Sequence, residues 1–408
     1  MNGKLLAVQY LEDGPGVAAI TPGDARDRLR AAFERLPMSL VLLGWNLSST
    51  LVVACRKEAE RAGAQLFRWH PLLTGDGTFV PRPEWQVVGL GGSPVSGFRG
   101  MPEFTFVCPN RPAVRDAVLD HLRDVVRGGE YQGVFLDRIR YPSPAADPAR
   151  LLACFCDDCR RAASDDGLDL EDARRRIGTL LTTSEGARAL VRALFAPSNS
   201  ETIGEAAGPD LAALCAVLDF RVRSVTRFVR AVADLIRAEG LGMGLDCFSP
   251  TLTHMVGQSL RALSPYGDWI KVMTYGHALG PAGLPFELLD LVGWLVGQRW
   301  TVDESEALKW LSLATGLPLP STCAALRERG LAPEALAAEV RRGRAVGERP
   351  LLAGIELVEI EGVAHVDPQR IAADLRAFRE AGADGLVLSW DLWHIPLERL
   401  EVVRAVWA

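Results

Sequence analysis

Residues 154–159, CFCDDC, hold three of the eight cysteines in this 408-residue chain. Thiolates spaced C-x-C-x-x-C can wrap one tetrahedral metal ion, with a fourth ligand from elsewhere, and the third cysteine argues against a redox C-x-x-C pair. Cys108 precedes the helix that leads into the fourth predicted strand, and residues 154–159 come after that strand. If the chain folds as a barrel, both loops emerge on the same face. Cys247 is the main rival, and a histidine stays open. The other cysteines fall in helical patterns, where a buried thiol is the expectation: Cys55, Cys215 and Cys323.

Carboxylates and aromatic side chains follow the apolar runs along the chain. Two carboxylates that face each other across a pocket can cleave a glycosidic bond, and indole rings stack on sugar faces. We predict Asp137 as nucleophile or electrostatic stabiliser, Glu356 as general acid/base, and Asp246 as the substitute for either. The side chains predicted to bind or orient the substrate share positions at strand ends: Trp45, Trp69, Arg140, Tyr141, Tyr275, His277, Trp390, Asp391 and Trp393. His70 also follows the third run.

The predicted roles depend on the local environment of each acid. Arg140, folded back along the rim, would keep Asp137 ionised, and burial in LLAGIELV would raise the pKa of Glu356 towards that of a general acid. A single acid could instead serve only to pair with Arg140 or Arg138 at the rim. Lys271, in WIKVMTY, has two possible roles: its amine could form a Schiff base, or it could be the ion-pair partner of Asp246.

Eight apolar runs must position these residues. Segments with helical spacing separate most of them, which implies parallel strands and predicts a (β/α)8 TIM barrel with an insertion after strand 4. The rival, an open doubly wound sheet, lacks a G-x-G-x-x-G turn in YLEDGPG after the first run. We predict one barrel domain over 1–408, with 143–209 as an inserted zinc-bearing or helical excursion within it. The predicted strands are 4–10, 39–45, 64–73, 131–142, 241–250, 268–275, 350–360 and 383–390.

Composition excludes several classes of partner. The net charge is −6 and no basic run is long enough to follow a phosphate backbone, so nucleic acid is not expected. No run approaches the ~18 apolar residues of a membrane span, and the first residues do not resemble a signal peptide. We therefore expect a cytoplasmic protein, where cysteines point to metal or buried thiols. A homo-oligomer stays open.

Three strand motifs resemble carbohydrate-active barrels. YQGVFLDRIRYPSP resembles the strand-4 motif of glycoside-hydrolase-like barrels, roughly Asp-Gly-hydrophobic-His/Phe-hydrophobic-Asp-x-Ile-Arg-Tyr-Pro. VMTYGHALGPAG and GLVLSWDL are similar to strands 6 and 8 of family 18 chitinase-like barrels. Those chitinases carry a Glu general acid directly before Tyr-Pro, where this chain has Arg140, which cannot donate that proton at neutral pH. The resemblance therefore implies a barrel whose acid comes from elsewhere.

The cysteine pattern resembles family 42 β-galactosidases, in which a lone Cys after strand 3 and a C-x-C-x-x-C loop after strand 4 bind a structural zinc. CPNRP and CFCDDCRRAA match that pattern, which implies a zinc site at Cys108, Cys154, Cys156 and Cys159. Four thiolates leave no open position for water, so the metal would be structural. That family ends strand 4 with Asn-Glu, and FLDRIRYP has no such pair, so β-galactosidase activity does not carry over.

Together these features predict a glycoside hydrolase-like enzyme that cleaves a glycosidic bond with paired carboxylates at the C-terminal face of the barrel. Its partner would be a carbohydrate or glycoside. Two alternatives stay open: a carbohydrate-binding barrel without turnover, and a non-glycosidic lyase or isomerase that uses Lys271.

Overall fold

The computed structural model describes residues 5–12, 17–196, 208–298 and 300–407. Eight parallel strands form a closed barrel, in which each strand pairs with the next and the last pairs with the first. The predicted fold, a (β/α)8 TIM barrel with an insertion after strand 4, is confirmed. The strands are β1 Leu5–Tyr10, β2 Leu40–Leu43, β3 Gln65–Pro71, β4 Gly133–Asp137, β5 Gly242–Phe248, β6 Trp269–Met273, β7 Leu351–Glu356 and β8 Gly385–Ser389.

Helices surround the barrel and connect successive strands. Their starts follow ordinary capping chemistry. Ser48 accepts the Leu51 N–H before the helix Ser49–Arg61, and the helix Pro112–Val126 begins at a proline, where a missing N–H costs nothing. Among the described residues, none of the helices is both long and apolar enough to cross a bilayer. The helices are α1 Pro22–Arg35, α2 Ser49–Arg61, α3 Pro112–Val126, α4 Pro148–Leu151, α5 Asp157–Asp165, α6 Leu170–Leu180, α7 Ser184–Leu194, α8 Pro209–Ala238, α9 Leu260–Leu263, α10 Leu284–Val296, α11 Glu304–Thr315, α12 Cys323–Arg329, α13 Pro333–Val346, α14 Pro368–Glu380 and α15 Leu397–Trp407.

The barrel interior is packed with side chains rather than open. Phe135 on β4 stacks on Trp269 of β6, with ring centroids 5.2 Å apart. A Cβ atom at Gly244 would lie 2.2 Å from the Trp269 ring, so only glycine fits there. Alternate residues of the strands face outward into a larger apolar layer beneath the helices. This filled interior closes the barrel below its C-terminal ends.

The segment after β4, predicted as a zinc-bearing or helical excursion, carries several helices. Between residues 143 and 196 it contains α4, α5, α6 and α7, and both α6 and α7 pack against α8. In α7 an apolar stripe that includes Leu190, Val191 and Leu194 is fully buried. Residues 143–196 are therefore largely helical, and their apolar stripes pack on α8. Residues 197–207 of the predicted excursion lie outside the described residues, and the 143–209 boundary stays a prediction.

Candidate functional site

A cavity of about 910 Å³ opens at the C-terminal ends of the strands. Seven side chains predicted from the sequence line it: Trp45, Trp69, Asp137, Arg140, Asp246, Tyr275 and Trp390. Glu12, Glu103 and Arg138 lie on the same wall. The cavity therefore combines carboxylates with aromatic surfaces at the face where barrels of this kind carry out chemistry.

Asp137, the last residue of β4, is held by two hydrogen bonds. The indole Nε1 of Trp69 donates to Oδ2 at 3.0 Å, and the backbone N–H of Arg138 donates to Oδ1 at 2.5 Å. Trp69 is itself braced edge-on by Trp45, with ring centroids 5.0 Å apart. Two N–H donors aimed at two different carboxyl oxygens fix the orientation of this side chain. Asp137 is thus a positioned acid at the cavity wall.

Arg140 supplies positive charge next to this acid. Its guanidinium lies between the rings of Phe106 and Phe248, at 4.7 and 4.4 Å from their centroids, and donates to the Tyr141 carbonyl. Burial lowers the pKa of Arg140 to about 10, so it remains charged at neutral pH. The charges of Glu287 and Asp137 oppose this lowering of the pKa.

Glu12 is a site residue that the sequence reasoning missed. It follows β1, and its side chain is 31% exposed, with Oε1 3.7 Å from Nη2 of Arg138. Desolvation raises the pKa of Glu12 to about 8; Arg138 opposes this rise, and the charge of Asp137 adds to it. LED directly follows the first predicted strand, 4–10, so the rule applied to the other strand ends would have found this glutamate.

Asp391 holds the backbone that carries Glu12. Its Oδ1 accepts the Leu11 N–H at 2.9 Å, and its Oδ2 accepts the Glu12 N–H at 3.2 Å. Leu11 adopts a positive φ of 57°, so this turn needs support from outside. Asp391 was predicted to bind substrate; it lies against the backbone N–H groups of Leu11 and Glu12 and is not among the described residues that line the cavity.

Lys271 and Asp246 form a buried ion pair at the floor of the cavity. Nζ of Lys271 lies 3.0 Å from Oδ2 of Asp246 and 3.1 Å from Oε1 of Gln9. Burial raises the pKa of Asp246, against the opposing charge of Lys271. Burial alone would lower the pKa of Lys271, but Asp246 and Tyr275 outweigh it and raise that pKa. Of the two readings of Lys271, the ion pair is the one observed, and a firmly protonated amine is a poor nucleophile.

Glu356 and His277 contact each other beside the cavity. Oε1 of Glu356 accepts the backbone N–H of His277 at 2.5 Å, and Nε2 of His277 lies 2.8 Å from Oδ2 of Asp374. Burial raises the pKa of Glu356 to about 7. Burial alone would lower the pKa of His277, but Asp374 and Glu356 raise it. Neither Glu356 nor His277 is among the described residues that line the cavity.

Two predicted aromatic contacts lie elsewhere. Tyr141 is buried, and the guanidinium of Arg221 lies 4.9 Å from its ring centroid. Trp393 is partly buried against the apolar layer of the barrel. Within the described chain, neither ring is on the cavity wall.

Four cysteines form a compact cluster after β3 and β4. Their Sγ atoms all lie within 4.8 Å of one another, and all four residues are buried: Cys108, Cys154, Cys156 and Cys159. Sγ of Cys108 lies 3.4 Å from that of Cys159 and 3.6 Å from that of Cys156. A tetrahedral zinc ion with ~2.3 Å bonds would need Sγ atoms about 3.8 Å apart. The predicted fourth ligand, Cys108, is therefore where a metal would require it.

The surroundings of this cluster also suit thiolate ligands. The backbone N–H of Val88 donates to Sγ of Cys154 at 3.2 Å, and Nδ2 of Asn110 donates to Sγ of Cys159 at 3.3 Å. Such outer hydrogen bonds orient metal ligands. None of the eight cysteines forms a disulfide, and Cys247, the rival ligand, is buried on β5 away from the group.

Comparisons with known proteins find similarity at the level of fold. No family model matches the chain, and no curated protein matches it. Among solved structures, the PgaB (BpsB) glycoside hydrolase domain from Bordetella bronchiseptica aligns over 99% of this chain and 98% of its own, at 13% identity and a TM-score of 0.57. The catalytic domain of a β-amylase from Paenibacillus polymyxa aligns over 99% and 98%, at 10% identity and a TM-score of 0.54.

A β-galactosidase from Halorubrum lacusprofundi aligns over 97% of this chain, at 15% identity and a TM-score of 0.58. The alignment covers 55% of that chain, so this protein spans about half the length of that enzyme. At these identities the likeness establishes the barrel that the chain shares with glycoside hydrolases. The family 42 resemblance continues to depend on the cysteine pattern, and the chemistry must be argued from the cavity.

Proposed function

We propose that this protein is a glycoside hydrolase that cleaves its substrate in the cavity at the C-terminal face of the barrel. One observation carries the proposal: Glu12 and Asp137 share an aromatic-walled cavity but have opposite environments. Glu12 has a raised pKa, whereas Asp137 accepts two N–H donors. Two acids in contrasting environments are what an acid and its anionic partner require.

Each group then has a defined role in the proposed reaction. The indoles of Trp45, Trp69 and Trp390 offer faces for sugar rings. Glu12, protonated near neutral pH, donates its proton to the glycosidic oxygen as the bond to the leaving group breaks. Asp137 stabilises the oxocarbenium-like charge, either as nucleophile or as the base for an attacking water. Asp246, paired with Lys271, contacts the substrate at the cavity floor.

Glu356 remains the competing general acid. Its pKa of about 7 suits proton donation, but its carboxylate already accepts the His277 N–H. Its use would require a side-chain rotation towards the cavity. We therefore assign the acid role to Glu12 and keep Glu356 as the alternative that the experiment must separate.

A panel of glycosides, assayed with single variants, tests this assignment. Glu12→Gln should lower turnover by about 10²- to 10⁴-fold, and Asp137→Asn by at least ~10²-fold. Glu103→Gln, which alters another carboxylate on the same wall, is the matched control and should keep near-wild-type rates. If Glu356→Gln abolishes turnover while Glu12→Gln does not, the acid is Glu356.

Arg140 favours a second candidate function, carbohydrate binding without turnover, because it stands where the chitinase-like motif has its acid. In that case glycosides would quench the tryptophan fluorescence of the cavity but never be cleaved. The lyase or isomerase alternative needs a free Lys271 amine. Borohydride reduction in the presence of a carbonyl substrate would label Lys271 if that alternative were correct, and it should not do so for a glycosidase.

For the cysteine cluster we propose a structural zinc ion held by Cys108, Cys154, Cys156 and Cys159. The proposal is supported by the burial and mutual distances of the four Sγ atoms. A closed thiolate shell contributes folding free energy rather than catalysis. In this position the ion would tie the chain after β3 to the loop after β4.

A further inference from the structure

A second group of metal-ligand side chains lies on the opposite side of β3 from the cavity indole. His70 on β3, Asp76 in the following loop and His121 on α3 place one ligand atom each within 4.8 Å of the others. Nε2 of His121 is 2.8 Å from Oδ2 of Asp76, and Nδ1 of His70 is 3.9 Å from the same oxygen. Two imidazoles and a carboxylate are a common ligand set for zinc and related divalent ions.

His70 supplies an independent reason to expect a ligand. Its side chain is 1% exposed, and Nδ1 has no hydrogen-bond partner among the described residues. A buried polar atom without a partner is costly and calls for an explanation. A metal ion bonded to Nδ1 of the neutral imidazole would provide one.

The carboxylate of Asp76 is already oriented for this role. Its Oδ1 accepts hydrogen bonds from the Thr78 N–H, the Thr78 hydroxyl and the Phe79 N–H, at 3.1, 2.8 and 2.7 Å. These contacts turn Oδ2 towards the two histidines. Hydrogen bonds that orient a ligand from behind are typical of metal sites.

The guanidinium of Arg68 also faces the same oxygen. Its Nη2 lies 3.3 Å from Oδ2 of Asp76, while Nη1 donates to the Gly44 carbonyl at 2.9 Å. Oδ2 can accept from Arg68 and bind an ion with its other lone pair, because a carboxylate oxygen has two. The guanidinium reduces the negative charge of the site, so we expect binding weaker than that of a four-thiolate cluster.

We propose that His70, Asp76 and His121 bind one divalent transition-metal ion, of which Zn²⁺ is the best match, with the fourth position left to water. The ion would join β3, α3 and the loop at residues 72–81. That loop contributes Gly75, Gly77 and Phe79 to the cavity wall. Occupancy of the site would therefore hold one wall of the cavity in place, whatever reaction the cavity performs.

Metal content measured on the full chain tests the proposal. Wild type, His121→Ala and Asp76→Asn are dialysed against micromolar Zn²⁺, separated from free metal and analysed. His121 is suited to this test because it is 19% exposed on a surface helix, so its loss should leave the fold intact. His365→Ala, which removes a histidine that is 79% exposed, is the matched control. Wild type and His365→Ala should retain one equivalent more than the other two.

Two further readouts separate this site from the cysteine cluster. With Co²⁺, the near-ultraviolet band of thiolate-bound cobalt should be equal in wild type and His121→Ala, because it reports the cysteines alone. Zn²⁺ should slow amide hydrogen exchange at residues 72–81 in wild type but not in His121→Ala. Equal metal content in wild type and His121→Ala, a loss in His365→Ala, or a lost thiolate band in His121→Ala would each overturn the proposal.

Discussion

Replacement of Lys271 by Met tests the charge balance at the cavity floor. Lys271 is fully buried and Asp246 is 1% exposed, with Nζ and Oδ2 3.0 Å apart. At an effective dielectric constant of about 20, two unit charges at that separation attract by about 5 to 6 kcal/mol. Methionine keeps most of the side-chain volume but leaves Asp246 as a buried, uncompensated carboxylate.

The free energy of protonating Asp246 in the folded variant gives a second estimate of the lost stability. The variant can avoid a buried charge by protonating Asp246 in the folded state. With an unfolded pKa of ~3.9, that protonation costs about 4 kcal/mol at pH 7. Broken buried pairs typically cost ~3 to 5 kcal/mol. Because burial already raises the pKa of Asp246 in wild type, part of this cost is present in both proteins, and we expect Lys271→Met to lower the free energy of unfolding by up to about 4 kcal/mol at pH 7.

Guanidinium unfolding of three proteins provides the assay: wild type, Lys271→Met, and Lys271→Met combined with Asp246→Asn. The double variant has no buried charge at this position and should regain more than half of the loss. In Lys271→Met the folded chain binds a proton that the unfolded chain releases above pH ~3.9. Its stability relative to the double variant should therefore rise as pH falls from 7 towards 4. A single-variant loss below ~1 kcal/mol, or a double variant no more stable than the single one, would refute this reasoning.

The metal cluster, the support of Glu12 and the proton on Glu12 give three further predictions. Cys156→Ser should release about one zinc ion per chain and lower the melting temperature; a metal-free wild type of unchanged stability would contradict the zinc site. Asp391→Asn should lower kcat by up to about 100-fold, because the backbone of Glu12 loses one of its acceptors, while the circular dichroism spectrum stays unchanged; wild-type kcat would show that Asp391 does not act through Glu12. For wild type, kcat/KM should fall above pH ~8 as Glu12 loses its proton, and a flat alkaline profile would remove Glu12 from the acid role.

The predictable part of the fold is the part encoded by local pattern. Each of the eight predicted apolar runs contains an observed strand, because buried parallel strands need continuous apolar sequence. Their number and helical separation then leave the closed barrel as the best solution. The helical character of 143–196 was predictable, but the bounds of its separate helices and the packing of α6 and α7 on α8 were not, because that packing joins segments that are distant in the chain.

The strand-end rule located the cavity but could not rank its acids. Asp137 lies on the wall because it ends β4 facing Trp69, whereas Glu356 ends β7 yet turns to the His277 backbone. One residue of difference in strand length or loop path turns a side chain to the other face. Glu12 was visible in the sequence, but its raised pKa depends on neighbours from other strands.

By itself the sequence determined the barrel, the face that carries the cavity, and the four cysteines that can share one metal, because these follow from periodicity and from spacing in the chain. Only the tertiary structure decided that Lys271 pairs with Asp246, that Asp391 supports Glu12, and that His70, Asp76 and His121 converge. These contacts join residues on different strands and helices. Their distances depend on how the barrel closes, which no local pattern records.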